Sequence, residues 1–213
     1  MALSIADTVL ATAAAVRDLA LSDPVVERWD VESSCAGMSV GGLAHHLTAQ
    51  LGTTVDLLSA GPGDGEPIEL REHYRRAAWA NSGLDDEVNV SIREGSDQAA
   101  ADGPGAVADR THAWLAALPG VLGTVQDDTV VMIPWQGWAL SAHDLVVTRL
   151  MEMVVHGDDL ASSVGVETPV LPDEAVRLAI DLLAQVAVDR HGQAAVVRTL
   201  SRPQRAPESI AAF

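Results

Sequence analysis

The sequence predicts an all-α fold, and three observations carry that prediction. Apolar residues make up 48% of the 213-residue chain while aromatics make up only 3%, so Ala, Val and Leu must fill the core. That composition suits closely approaching helices better than pleated sheet faces, which favour β-branched and aromatic residues. Long stretches repeat apolar residues at intervals of three and four, and capping signals with Gly and Pro breaks divide them into helix-sized pieces. The expected architecture is a four-helix bundle with one extra short C-terminal helix. The chain is long enough to bury a real core as one large domain. Residues 1–165 are expected to form the bundle and 166–213 a helix and tail packed on it, with no full second domain.

The first helix begins at Ser4, with Asp7 three residues on as an imperfect capping box, and carries Ile5, Val9, Val16 and Leu19 on one side. Asp23-Pro24 stops it, and residues 24–38, containing Trp29 and Cys35, read as an irregular connection. Ser39 caps a second helix running to Ser59, where Gly61-Pro62-Gly63-Asp64-Gly65 forms a loop. Ile68 to Trp79 reads as a short helix bearing Arg71, Arg75 and Arg76. Asp85 to Leu118 reads as a third long helix with a break near Gly103-Pro104, ended by Pro119-Gly120. Thr129 to Ile133 has the composition of a short strand, and Pro134 keeps it from continuing into a helix. Ser141 and Asp144 make a capping box for a fourth long helix that reaches Val164. Pro172 opens a fifth, ending near His191-Gly192, and the tail after Pro203 is expected to fray.

Charge narrows the function. Only 13 basic residues face 30 acidic ones, for a net charge of −17. Nucleic-acid binding draws most of its affinity from Lys and Arg on phosphates, so that class is excluded, as is an anionic membrane surface. A metal ion or a neutral or cationic small molecule remains compatible, and much of the charge serves solubility. Cys35 is the only cysteine, which rules out an internal disulfide and points to a reducing compartment. Met1-Ala2-Leu3-Ser4 lacks a basic region, Asp7 and Arg17 interrupt any leader core, and no apolar run is long enough to span a membrane. A cytoplasmic location is expected.

The helix after Ser141 holds the strongest functional signal. Leu145, Val146, Val147, Leu150, Met151, Met153, Val154, Val155 and Leu160 surround nearly its whole circumference, as in a buried helix. Yet Arg149, Glu152, His156 and Asp159 recur every three or four residues and share one stripe. Burying ionisable groups costs several kcal/mol each unless they are paired or bind a metal. The helix after Ser39 offers a partner, because His46, Gln50 and Thr54 run down the middle of its apolar side. Two such lines facing each other build metal sites in bundles. Glu152 and His156 can reach one ion from one helix and His46 from the other, leaving an open position as in catalytic zinc sites. Spacing alone leaves this site and an ordinary hydrogen-bonded set of core residues equally open.

Those same residues carry a family resemblance. Met38-Ser39-Val40-Gly41-Gly42-Leu43-Ala44-His45-His46-Leu47 resembles the Trp-Thr-Val-x-Asp-Leu-x-x-His-Leu segment of DinB-like bundles. Arg149-Leu150-Met151-Glu152-Met153-Val154-Val155-His156-Gly157-Asp158-Asp159-Leu160 resembles the Arg-x-x-Glu-x-x-x-His-x-x-Asp-Leu signature of one branch, the mycothiol-dependent maleylpyruvate isomerase family. The resemblance covers roughly residues 4–165 and rests on the two motifs together. It implies a DinB-like four-helix bundle, a divalent metal, zinc above others, on His46, Glu152 and His156, and mycothiol as cosubstrate. Met38 and Gly42 depart from the pattern's aromatic and acid. Many members also add a C-terminal α/β domain, for which little chain remains after Val164.

The implied chemistry is zinc-assisted. A coordinating zinc deprotonates a thiol, and the thiolate attacks a small electrophile, giving S-transfer, or adds to and leaves a conjugated double bond, giving isomerisation. Mycothiol is neutral apart from its thiol, so an acidic protein can bind it through its sugar hydroxyls. Arg149 is the candidate catalytic residue, holding anionic substrate charge, with an ion pair to Glu152 or Asp159 as its alternative role. Gln50 is a candidate substrate contact, and Asp159 a candidate acceptor that orients His156. A hydrolase using zinc-bound water and a non-catalytic metal or ligand-binding bundle share these ligands and stay open, as does a homodimer. Among the rest, His45 lies about 100° from His46 at the helix edge, and His73, His112, His143 and His191 lack ligand spacing. Trp135 and Trp138 read as packing residues and Cys35 as a small buried one.

Overall fold

Ser4 opens the first helix in the computed structural model, which describes residues 4–213; Met1-Ala2-Leu3, read above against a leader, lie outside the described residues. The Ser4 hydroxyl accepts from the Asp7 amide and starts α1 (Ile5–Ala20). Ser39 caps α3 (Val40–Ser59) and Ser141 caps α7 (Ala142–Val164) in the same way, through the amides of Gly42 and Asp144. The Gly103-Pro104 break separates α5 (Glu87–Ala100) from α6 (Pro104–Leu122). α4 (Leu70–Arg76) is followed by a 3-10 turn over Trp79–Asn81. The chain is mostly helical, as expected, and the core of the fold is a DinB-like bundle of α1, α3, α6 and α7.

Val9, Ala13 and Val16 of α1 meet Leu43, Leu47 and Leu51 of α3, Leu118 of α6, and Leu150, Met153 and Leu160 of α7 in the central core. Full burial of each such aliphatic side chain contributes about 2 kcal/mol relative to exposure. Side chains from neighbouring elements press against glycines of α3. A Cβ on Gly52 would lie 2.6 Å from the Trp114 indole, so α3 and α6 approach more closely there than any other residue permits. A Cβ on Gly42 would collide with the Asp97 carboxylate. That carboxylate accepts from the Ser39 amide at 3.0 Å and the Ser39 hydroxyl at 2.6 Å. A capping box ordinarily takes this carboxylate from the third residue of the helix itself; here it comes from α5.

Four expectations need correction. Asp23-Pro24 does not simply lead into an irregular stretch: it begins a short helix, α2 (Asp23–Glu27), because proline suits the first turn of a helix as well as it disrupts the interior. Pro119-Gly120 does not end α6. The ring removes one amide donor close to the helix end, and burial of Leu118, with Val121 and Leu122 packed on the core, holds the last turn in place to Leu122. The strand β1 (Val130–Ile133) has a partner that the sequence did not reveal, β2 (Trp138–Ser141), paired antiparallel with Ile133 opposite Trp138. Gly137, at φ +78°, closes the turn between them.

The fourth correction concerns the C-terminus. α8 (Asp173–His191) is followed by a further helix, α9 (Gln193–Ser201), and the tail after Pro203 is held, not frayed. Phe213 stacks 4.9 Å from Trp79 and 5.6 Å from Tyr74, centroid to centroid, and Arg190 donates to the Ala212 carbonyl at 2.9 Å. α8 lies on α7, where Ala179, Leu182 and Val186 pack with Val147, Met151 and Tyr74. Arg71 and Arg75 of α4 both pair with Asp189 of α8.

Candidate metal centre

α3 and α7 face each other in the bundle, and their polar lines meet. Glu152 Oε2 lies 3.2 Å from His156 Nε2 and 3.7 Å from His46 Nε2, and the two imidazoles stand edge to face 4.9 Å apart. Two donors each about 2.05 Å from a tetrahedral zinc would sit ~3.3 Å apart, so this spacing suits three ligands of one ion. The 3.7 Å separation is too long for a hydrogen bond. All three side chains are at most 21% exposed.

The outer edges of both rings are engaged. His156 Nδ1–H donates to Asp159 at 2.9 Å, which leaves Nε2 to face the centre. His46 Nδ1 lies 3.4 Å from Ser96 Oγ, whose own proton goes to the Ile92 carbonyl. Electrostatics matches this geometry. Burial alone would push the Glu152 carboxyl up, but the adjoining His156 and His46 rings and the positive Arg149 outweigh it and hold it well below the usual range. Burial alone would lower His156, but Asp159, Cys35 and Glu152 raise it well above the usual histidine value. The lowered carboxyl and the raised imidazole together favour positive charge between them.

Arg149 makes no ion pair with Glu152 or Asp159, the alternative considered for it. Its guanidinium donates to Gln50 Oε1 at 2.5 Å and to Thr148 Oγ1 at 3.0 Å, leaving its charge without a carboxylate partner among the described residues. Gln50, 4% exposed, is tied through Nε2 to the His46 carbonyl, so it holds Arg149 in position. These groups line a cavity of about 860 Å³ with Cys35, His73 and Trp135. Glu152 is the one carboxylate residue among those lining it.

Three contributors escaped the sequence reading. Cys35 arrives on the loop after α2, which is pinned to α7 through Ser34 N–H to Ser163 Oγ and Ser34 Oγ–H to the Asp159 carbonyl, both 2.8 Å. Its thiol then donates to Asp159 at 3.5 Å, and Cys35, His156 and Asp159 form a second cluster within ligand reach. Ser96 comes from α5. His73, on α4, is 4% exposed and accepts from the Trp138 indole at 3.1 Å. None shares a helical repeat with the stripe; the only signal available was that a histidine and a cysteine fall in otherwise short, broken segments. His45 packs beside Trp114, half-buried, with burial first and Arg110 second pulling it down to about 4.

No helix among the described residues is long and apolar enough to cross a membrane. No curated protein and no solved structure matches the chain. The bundle, its two facing motifs and a match over residues 7–161 agree: the chain belongs to the family of the mycothiol maleylpyruvate isomerase N-terminal domain.

Proposed function

We propose that this chain is a metal-dependent enzyme in which a small thiol, mycothiol, attacks a small electrophile in the α3–α7 cavity, for S-transfer or isomerisation. The observation that carries the reading is the convergence of His46 Nε2, Glu152 Oε2 and His156 Nε2 on the wall of that cavity. Its volume is of the size that encloses a ligand of several hundred daltons. A divalent ion, zinc by the nature of the donors, would supply Lewis acidity that lowers a thiol's pKa to the neutral range. Glu152 offsets the cation's charge, and Asp159 holds the His156 ring with its Nδ1 proton turned away. Arg149, fixed by Gln50, faces negative charge arising on the electrophile's oxygen as the new C–S bond forms. In transfer the leaving group departs with the displaced electron pair; in isomerisation the C–S bond breaks again after rotation and the thiol is recovered. The hydrolase alternative is less supported, because among the described residues no Asp or Glu besides Glu152 lines the cavity to act as base for water.

Purified protein is expected to carry close to one divalent ion per chain, and His156→Ala to lose most of it while keeping its helical spectrum. Elemental analysis that finds no metal after zinc loading would end the metal reading. With cobalt in place of zinc, mycothiol should add a sulfur charge-transfer band in the near ultraviolet. If mycothiol changes neither that spectrum nor the melting temperature at millimolar concentration, the thiol reading fails while the ligand assignment stands.

A further inference from the structure

We propose that His73 is a substrate-binding and specificity-determining residue, presenting a neutral Nε2–H donor, in the cavity that Arg149 also lines, to an oxygen of the electrophile. The argument begins with Trp138. An indole nitrogen can only donate, and Trp138 Nε1 lies 3.1 Å from His73 Nδ1, so Nδ1 must carry a lone pair. The proton of the neutral ring is therefore on Nε2. The ring's recorded hydrogen bond among the described residues is the one at Nδ1, and the side chain is 4% exposed and lines the cavity. A buried ring whose other polar atom is a donor, on the wall of a large cavity, is placed to meet an acceptor on whatever fills it.

The surroundings select that acceptor. Arg149 lines the same cavity, close enough for its charge, after burial itself, to hold His73 down to about 4, with Glu152 opposing weakly. The ring thus stays neutral at physiological pH and donates without adding a second positive charge. A guanidinium and an imidazole N–H lining one cavity match a carboxylate, or a carbonyl that gains negative charge during reaction. Their common chemistry is an oxygen acceptor of anionic character. Trp138 reaches His73 from β2, so the hairpin's role is to fix the tautomer of a residue on α4. This inference rests on the reading that the cavity takes the electrophile, but its test does not involve the metal or the thiol.

Nitrogen-15 NMR of the histidine rings should show His73 as the Nε2–H tautomer at pH 6 to 8, and Trp138→Phe should relax that preference toward a mixture. Succinate, used as a carboxylate probe up to tens of millimolar, should move the His73 Nε2–H resonance. His73→Phe should weaken succinate binding by about tenfold, and His73→Gln, which keeps an N–H donor at similar reach, should recover most of it. A protonated or Nδ1–H ring in the wild-type protein would overturn the proposal without any variant. So would the absence of a His73 response to succinate, or equal succinate binding by the Phe variant. Metal content and mycothiol binding are read separately, so a failure of the metal or thiol reading cannot be mistaken for a failure here.

Discussion

His156 uses both edges of its ring, and its two neighbours set opposite demands. Asp159 on Nδ1 and Glu152 on Nε2 together favour a cationic imidazole when no metal is present. A metal must displace that proton, so zinc uptake should release protons and strengthen as pH rises toward the raised pKa of His156. A pH series of zinc titrations by calorimetry in two buffers checks the sign. Asp159→Asn should lower zinc affinity by about 10- to 100-fold without removing a ligand. His73 predicts an acid effect of the other kind. Its folded-state pKa, about 4, lies below the unfolded value near 6.5. The unfolded chain therefore binds the proton first, and the stability present above pH 6.5 is lost as pH falls toward 4. After discounting for partial exposure to the cavity the loss is of the order of 2 kcal/mol, readable as a lower urea midpoint at pH 4.5 than at pH 7 that His73→Gln diminishes. The meeting of His46, Glu152 and His156 was legible because helical periodicity places them on facing stripes. Cys35, His73 and Ser96 were not, because loop docking and helix packing bring them in, and neither leaves a period in the sequence.

At the scale of the element, capping residues told most. Ser4, Ser39 and Ser141 each mark a helix start because a hydroxyl satisfies an amide that the helix cannot. Proline told less, since Pro24 starts a helix and Pro119 sits within one; tertiary burial of neighbouring apolar residues decides what a single lost amide bond does. β2 was invisible because four residues ending in a helix cap offer too little alternation. The Gly52 contact gives a sharp expectation. Alanine is the better helix former by about 1 kcal/mol, yet Gly52→Ala should destabilise by roughly 2 kcal/mol, because its methyl group must displace the Trp114 indole or part α3 from α6. Chemical denaturation of the variant measures the difference, and a stabilised variant would show that the two helices are not in close contact there.

For the whole molecule, the low aromatic content and high Ala, Val and Leu content translated directly into a helical bundle. The arrangement of α8 and α9 did not follow from it, because their packing depends on which part of α7 the first bundle leaves uncovered. That uncovered part is the Val147–Met151 face, and α8 closes it. Circular dichroism should be dominated by helix, with the 130–141 hairpin contributing little. The ion pairs of Arg71 and Arg75 with Asp189 lie at the edge of this junction and are partly exposed. Asp189→Asn should therefore cost no more than about 1 kcal/mol by thermal melting. A much larger loss would mean that α4 is held to α8 chiefly by charge.

The Asp97 carboxylate that caps α3 from a neighbouring helix carries a consequence for descent. It occupies the space where the related pattern has an acid at position 42, and a side chain there would have to push the Asp97 carboxylate off Ser39. Lineages should have exchanged one for the other only through an intermediate lacking both. Family members with an acid at the position of Gly42 should then rarely keep one at the position of Asp97. In the laboratory, Gly42→Asp should be damaging alone and tolerated in an Asp97→Ala background, a reversal of sign that records which change had to come first.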